Sequence, residues 1–453
     1  MRTKLKWVGL FLAGLLFLAN FGGAPVIADD SEVTIQFATW TYDLSKVRDN
    51  VAQFEKWTRT QDDIPNTNVD IVDFGFAAFR GALTTRFMAG AEIDVLYGSD
   101  AWLSGWAMAG FVAPWGNYAE DISIYKDDMI DYVWDSLTFE DELYGLIYYA
   151  DHMQFVYNER LLEEAGIASP PTTWDEVREQ CEILIEKGVS EEPFFIPISL
   201  TPWLEENFFS MVYSEGGNFF DDEGNPTFGD GPSGTVYEVL SWIVDAYKDG
   251  IIAERAIDMQ VVDIQEIFKD GLPAFVIVPS YMLAEFQHEA TSEVAGDAKL
   301  ALMPGSTQGT GGFMRSVLLG SNAVRRGGAT LEASIAMVEF LGGKVDVTGD
   351  GEKEYHIPKR WTTENLLGFG YRSMWRDPDV IEAISQAGDL SIMERQKELT
   401  RTKEGMQYAW YSEWIEYLRG DIQNALLGIQ TTERALENIA RRWNSLKLEF
   451  SGW

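Results

Sequence analysis

The chain has 453 residues, a length that exceeds what one hydrophobic core usually holds, so we expect two lobes. Hydrophobic residues make up 46% of the sequence, which excludes a disordered protein. Its formal charge is 35 minus 72, or −37, and a surface of that charge repels nucleic acid and anionic lipid, which excludes nucleic acid as a partner. The same excess of acid fits a saline habitat, a cationic ligand, or the solubility of a secreted protein.

The amino terminus differs from the rest of the chain. Three basic residues precede an apolar run at residues 7–21, and small residues stand before Ala28. This pattern predicts that residues 1–28 are a secretory signal peptide, removed after Ala28, which places the protein in the periplasm. Loss of the three basic residues takes the charge from −37 to −40. The alternative is an uncleaved anchor helix, and no cysteine follows the apolar run to carry a lipid anchor.

Strand, loop and helix alternate through the first hundred residues. The patterns predict strands at residues 33–40, 69–74 and 93–97 and helices at residues 44–60 and 76–89. In open α/β sheets, ligands bind beyond the carboxyl ends of the strands. That rule selects six candidate ligand-binding residues, namely Trp40, Tyr42, Asp43, Ser99, Asp100 and Trp102.

Residues 144–157 form a run too hydrophobic to have a solvated face, which predicts a strand buried on both sides. Asp151 and His152 interrupt it. Because a carboxylate inside a buried strand is costly, we expect Asp151 to face a cleft between two lobes. The alternative is that Asp151 pairs with a buried cation. Residues 159–166 then predict a short helix ended by Gly166, and a second helix begins after Thr172 or Thr173.

This stretch resembles a known family. The residues that carry the likeness are Tyr144-Gly145-Leu146 through Tyr157-Asn158, then Leu161, Ala165-Gly166-Ile167 and Pro170-Pro171-Thr172-Thr173-Trp174-Asp175-Glu176. They are similar to the extracellular solute-binding proteins of sugar ABC transporters, the family that includes maltose-binding protein. The resemblance implies an α/β, two-lobed periplasmic-binding-protein fold of type II, with discontinuous lobes joined by a hinge.

The resemblance also implies lobe boundaries. Lobe 1 would comprise residues 29–148 with 301–322, and lobe 2 residues 149–300 with 323–453. The chain would cross between the lobes three times, near residues 147–151, 299–303 and 320–325.

Later segments extend the likeness over the mature chain and add candidate site residues. The likeness continues at residues 89–95, 109–114, 216–226, 271–281, 309–313, 372–378 and 427–436. Two positions depart from the family pattern, because Ile93 replaces a usual proline and Phe313 replaces a usual tryptophan. Further candidates for ligand binding are Trp203, at the start of a predicted helix, and Tyr281, Gly312, Phe313 and Arg372, which lie in these segments.

Aromatic rings beside carboxylates are the lining that sugars prefer, because a pyranose packs its C–H face on a ring and its hydroxyls donate to carboxylates. We therefore expect a carbohydrate ligand, bound without catalysis and passed to the permease subunits of an ABC transporter. Two alternatives remain open. A cationic solute such as a polyamine would also suit acidic and aromatic walls. A secreted glycoside hydrolase would use two carboxylates about 5 to 10 Å apart, for which Asp100 and Asp151 could be imagined.

The resemblance implies a monomer, and the residues predict no cofactor or metal. Cys181 is the single cysteine and is expected to be a buried thiol, while the three histidines stand far apart in the sequence. Residues 346–354 resemble the start of a calcium loop, but Ile357 occupies the position of the closing glutamate, so we interpret them as a solvated turn.

Overall fold

The computed structural model describes residues 32–450, so the predicted signal peptide at residues 1–28 lies outside the described residues. Over the described range the protein is a mixed α/β structure, as the sequence predicted. The strands are β1 (Val33–Trp40), β2 (Thr67–Phe74), β3 (Val95–Ser99), β4 (Val112–Ala113), β5 (Thr138–Phe139), β6 (Glu142–Leu143), β7 (Gly145–Asn158), β8 (Phe194–Phe195), β9 (Phe275–Pro279), β10 (Ala298–Ala301), β11 (Thr310–Gly320) and β12 (Thr400–Arg401).

The helices follow and flank these strands. They are α1 (Leu44–Thr58), α2 (Phe76–Met88), α3 (Leu103–Met108), α4 (Ser123–Asp128), α5 (Asp131–Leu137), α6 (Glu159–Ala165), α7 (Trp174–Glu186), α8 (Pro202–Ser214), α9 (Thr235–Lys248), α10 (Val261–Lys269), α11 (Leu283–Phe286), α12 (Ser321–Arg326), α13 (Gly328–Gly342), α14 (His356–Asn365), α15 (Pro378–Ser385), α16 (Leu390–Glu398), α17 (Tyr411–Leu426) and α18 (Thr432–Phe450). Short 3₁₀ turns include Asp100–Trp102 and Arg372–Arg376. No helix between residues 32 and 450 combines the length and the apolar character needed to cross a membrane.

The main sheet has the strand order β2-β1-β3-β11-β7-β9-β8. β1 runs parallel to β2 and to β3, whereas β11 runs antiparallel to both of its neighbours, β3 and β7. Because β1, β2 and β3 are parallel, the loops that follow them lie at one edge of the sheet, where the sequence predicted the ligand site.

The long strand β7 belongs to two parts of this sheet. Residues 145–152 pair with β11, and residues 153–157 pair with β9. β10 pairs with the same second half on its other edge. The change of partner at His152 and Met153 lies beside the first predicted lobe crossing, at residues 147–151.

The helices after β11 correct the predicted lobe boundaries. The sequence assigned all of residues 323–453 to lobe 2. In the structure, however, α13 packs on β1, β7 and β11, and α14 packs on α13 and β7. α13 is apolar on nearly every face, so it is stable only when buried against a sheet. The chain returns to the second part only later, where α17 and α18 pack on α9.

The predicted helix ends are largely confirmed. Gly166 follows α6 with φ 70°, and the side chain of Thr173 caps α7 by accepting from the backbone N–H of Glu176. β8 is short and ends at Phe195. Pro197 stands two residues later and has no N–H to donate to a neighbouring strand.

Candidate functional site

A cavity of about 410 Å³ lies where the loop after β3, the start of α8 and the middle of β11 meet. This volume falls in the usual range of small-molecule sites, about 300 to 1,000 Å³. Five of the residues predicted from the sequence line it, namely Ser99, Asp100, Trp102, Trp203 and Phe313. Residues 99–102 are distant in sequence from Trp203 and Phe313, so the fold brings these five predicted residues together.

Aromatic rings form the walls of the cavity. The rings of Trp102 and Phe76 are 5.7 Å apart, and on the opposite side the edge of Trp203 meets Phe313 at 5.5 Å. Tyr281 lies 6.3 Å from Trp203 but lines a neighbouring pocket, beside His152 and Lys397, rather than this cavity. Trp40 is buried and packs behind Phe76 and Trp102, at 5.5 and 6.3 Å, so it supports the wall rather than lining the cavity.

The floor of the cavity contains buried charges in contact. The register of β3 and β11 sets Arg315 opposite Ser99, which places its guanidinium beside Asp100. Arg315 Nη1 lies 3.7 Å from Asp100 Oδ1 and donates to the Ser99 hydroxyl at 3.1 Å. On the other side Lys403 Nζ lies 3.4 Å from Asp100 Oδ2 and also pairs with Glu206.

A second ion cluster adjoins the first. Arg419 of α17 pairs with Glu205 on α8 and makes two hydrogen bonds to Glu416, at 3.0 and 3.1 Å. The charged residues that line the cavity are four acids and four bases. They are Asp100, Glu205, Glu206 and Glu416 against Arg80, Arg315, Lys403 and Arg419.

Burial and these cations set the pKa values of the cavity acids. Burial raises the pKa of Asp100, but Lys403 and Arg315 together outweigh it and hold the pKa below its ordinary value. Burial dominates for the two glutamates of α8. It raises the pKa of Glu206 despite Lys403, and it raises that of Glu205 well above the usual range despite Arg419.

Tyr42 and Asp43 lie outside this cavity. Tyr42 is half-exposed and its ring stacks on Trp361 of α14 at 6.2 Å. Asp43 caps α1 through the backbone N–H of Lys46 and accepts from the side-chain amide of Asn365 at 3.0 Å. These contacts give both residues a role at the junction of α1 and α14, and the capping geometry explains Asp43 without a ligand.

Asp151 is also outside the cavity, because its side chain is 0% exposed. Burial raises its pKa to about 6, against the opposing charge of Lys397 on α16. The backbone N–H of Gly368 donates to Oδ2 at 3.4 Å, and the Lys397 ammonium donates to the carbonyl of Ala150 at 2.6 Å. The structure therefore contradicts the expectation of a carboxylate facing the cleft and favours the alternative, a buried carboxylate whose charge is opposed by that of a buried cation.

Gly312 and Arg372 have structural explanations. A Cβ on Gly312 would lie 2.5 Å from the Tyr132 ring and 2.6 Å from Thr400, so glycine allows β11 to pass close to its neighbours. Arg372 is exposed, bonds the carbonyl of Met129 and pairs with Asp131 at 2.8 Å. Neither residue lines the cavity.

Several cavity residues were not predicted from the sequence. Arg315 breaks an apolar strand in the same way as Asp151, so the same reasoning could have identified it. Glu205 and Glu206 lie on the first turns of α8, next to the predicted Trp203. Lys403 lies in an irregular stretch after β12 and is brought in only by the pairing of β12 with β11, which no local pattern encodes.

Within residues 32–450 no three His, Cys, Asp or Glu side chains cluster as metal ligands. Asp346, at the start of the predicted turn, uses its carboxylate to accept from the backbone N–H groups of Thr348, Gly349 and Gly351. This geometry is that of a turn closed by its own aspartate.

Comparisons with known proteins agree with this architecture. Residues 12–311 match the family described as bacterial extracellular solute-binding protein. A binding protein of Brucella abortus (strain 2308) is 24% identical over 336 residues, which cover 74% of this chain and 77% of the relative.

Solved structures are similar over almost the whole chain. Maltose-bound MalE3 of T. maritima has a TM-score of 0.74 at 19% identity and covers 92% of this chain and 100% of its own. MalE of Xanthomonas citri has a TM-score of 0.73 at 20% identity, with 92% and 99% covered. A solute-binding protein of Agrobacterium radiobacter K84, solved with ribitol, has a TM-score of 0.71 at 16% identity, with 91% and 98% covered. These likenesses confirm the two-lobed fold.

Proposed function

Because the chain belongs to the family of bacterial extracellular solute-binding proteins, we propose that it captures a carbohydrate between its two lobes and delivers it to the permease of an ABC transporter. The observation that carries the proposal is the cavity lined by Trp102, Trp203 and Phe313 around a charge-balanced floor. Faces of aromatic rings suit the C–H face of a sugar, and buried ion pairs supply fixed hydrogen-bonding groups at its hydroxyl rim. Structural relatives bound to maltose and ribitol support this class of ligand.

The charge balance favours a carbohydrate over a polyamine. A cationic ligand needs carboxylates that are not already neutralised. Here Asp100, Glu205 and Glu206 are 3%, 5% and 6% exposed, and each contacts an arginine or lysine of the protein. A polyamine would have to displace these cations, which costs more than binding to open carboxylates.

The same burial favours binding without turnover. A glycoside hydrolase needs two carboxyl groups in contact with the glycosidic bond. Asp151 is sealed from solvent, and Asp100 is held by Arg315 and Lys403. The pair that the sequence suggested therefore does not offer an acid and a nucleophile to one substrate.

Capture is coupled to closure of the lobes, because a ligand that contacts both sides of the cleft binds the closed form better than the open form. The protein acts as a monomer outside the cytoplasmic membrane. Residues 1–28 serve as the signal for export.

A thermal-shift screen against monosaccharides, disaccharides and polyamines tests the proposal, because a ligand stabilises the folded state in proportion to its occupancy. We expect a sugar, and no polyamine, to raise the melting temperature. Prolonged incubation followed by chromatography should return that sugar unchanged. Stabilisation by polyamines alone would contradict the proposal, and accumulation of a product would indicate a hydrolase.

A further inference from the structure

The polar groups of the cavity differ in what they still offer to a ligand. Asp100, Glu205 and Glu206 are buried and engaged with the protein's own cations, whereas Glu416 is exposed and pairs with Arg419. In contrast, the guanidinium nitrogen atoms of Arg80 make no hydrogen bond or ion pair with any residue of the described range 32–450. None of them belongs to the buried polar atoms that lack a partner in this range. The cavity thus has hydrogen-bond donors to spare and few accessible acceptors.

Arg315 also has hydrogen-bond donors that no protein group uses. Its contacts to Ser99, Asp100 and the carbonyl of Met314 all use Nη1. Nε and Nη2 have no partner within residues 32–450, and neither nitrogen is sealed from solvent. The indole N–H groups of Trp102 and Trp203 also have no hydrogen-bond partner within residues 32–450 and are not sealed from solvent, and both rings line the cavity.

Phe76 neighbours both arginines, Arg315 through a ring contact and Arg80 through its position one turn further along α2. Arg315 Cζ lies 5.2 Å from the centre of the Phe76 ring, and Arg80 follows Phe76 by four residues on α2, which places the two side chains on one helix face. The charges acting on Arg80 are those of Glu416, Glu413 and Arg419, and none of these groups forms an ion pair with it. Burial lowers the pKa of Arg80 and outweighs the opposing effect of the Glu416 charge.

We infer that the ligand is a carbohydrate bearing an anionic group, a carboxylate, sulfate or phosphate, which binds between the guanidinium groups of Arg80 and Arg315. The inference rests on the proposed function. Arginine presents planar, paired N–H donors that match the oxygens of such groups, and the hydrogen bonds formed are charge-assisted. Phe76 and Trp102 would then pack against the sugar ring beside the acidic group.

The test compares glucose with glucuronate, glucose 6-phosphate and glucose 6-sulfate, and galactose with galacturonate, by calorimetry on the whole protein. We expect at least one acidic member to bind about ten- to a hundredfold more tightly than its neutral partner. Arg80→Gln should remove most of that preference, because the affinity for the acidic sugar should fall much further than the affinity for its neutral partner. Arg86→Gln is the matched control, because Arg86 is exposed on the same helix and does not line the cavity.

The outcomes separate the two proposals. Equal affinity for neutral and acidic partners, or an equal loss of both in Arg80→Gln, would overturn the acidic ligand and leave carbohydrate capture intact. Binding of polyamines with no binding of either sugar series would overturn carbohydrate capture itself. The relative affinities for glucuronate, glucose 6-sulfate and glucose 6-phosphate show whether the anionic group is a carboxylate, a sulfate or a phosphate.

Discussion

Asp151 is a carboxylate whose environment decides its role. It is sealed within β7 and shares its surroundings with the ammonium of Lys397. Asp151 supplies the charge that opposes the buried Lys397 ammonium, so Asp151→Ala leaves that ammonium without compensation and should lower the free energy of unfolding by about 3 to 5 kcal/mol. Urea unfolding of the ligand-free protein measures this loss.

The double variant Asp151→Ala with Lys397→Met is the control for that experiment. It removes the stranded charge and should recover part of the stability lost in the single variant. If Asp151→Ala instead unfolded like the wild type and only lost ligand affinity, Asp151 would be a ligand contact, as the sequence first indicated.

His152, the next residue, predicts a pH dependence. Burial, with a smaller contribution from Lys397, lowers its pKa from 6.5 to about 3, so the folded state keeps the ring neutral while the unfolded state can take up a proton. The stability it contributes is therefore complete above pH 6.5 and is lost as the pH falls towards 3. Between pH 6.5 and 5 the loss should be about 2 kcal/mol.

Urea unfolding at pH 7 and pH 5 tests this pH dependence. His152→Phe should lose less stability than the wild type over that interval, and the exposed His288→Asn should behave as the wild type does. Asp151, with its pKa raised to about 6, contributes with the opposite sign between about pH 4 and 6, so wild type and variant are compared at each pH. Parallel pH profiles would contradict the assignment.

For single residues, the sequence was a better guide to which residues could line a site than to the contacts that each side chain makes. Trp40 and Trp102 were selected because the end of a parallel strand is a local feature, and of the two, Trp102 lines the cavity while Trp40 packs behind its wall. The direction of the Asp151 side chain was not predictable, since it depends on Lys397, which is 246 positions later in the chain. The same holds for Lys403, whose contact with Asp100 depends on where β12 pairs.

β7 is the element that joins the two parts of the sheet, and its pairing with β11 requires close approach. A Cβ on Gly145 would collide with the carbonyl oxygen of Val317 on β11. Gly145→Ala should therefore lower the free energy of unfolding by about 1 to 3 kcal/mol, as expected when a methyl group is forced into packed structure.

Gly81→Ala provides the matched control for Gly145→Ala. Gly81 lies within α2 and its added Cβ would meet no atom within 4 Å. Alanine is the better helix former, so this variant should gain about 0.5 to 1 kcal/mol. Denaturant unfolding of both variants checks the contrast, and equal effects would mean that backbone entropy, not the approach to Val317, dominates at Gly145.

The elements themselves were predictable where their patterns are local. The boundaries of β1 and α6 were predicted within about two residues, because periodicity, caps and glycine stops are local features of the sequence. The packing position of α13 was not predictable, since an apolar helix can be buried against either part of the sheet. The strand β11, which precedes α13, determines the part of the sheet on which it packs.

Closure is the prediction for the whole molecule. If ligand bridges the two parts of the sheet, rotation about the region where β7 changes partners will bring Trp102 and Trp203 closer together. Small-angle scattering should record a smaller radius of gyration at saturating sugar. A sugar that gives no thermal shift is the control, and an unchanged radius at full occupancy would contradict closure.

The strand order has a consequence for biosynthesis. β11 lies between β3 and β7, yet it is made about 150 residues after β7. A nascent chain that ends before residue 310 cannot join those two strands, and each presents an open edge of unpaired backbone groups. The second part is completed later still, when α18 reaches α9. The order of synthesis therefore delays the native fold until α18, at Thr432–Phe450, has been made.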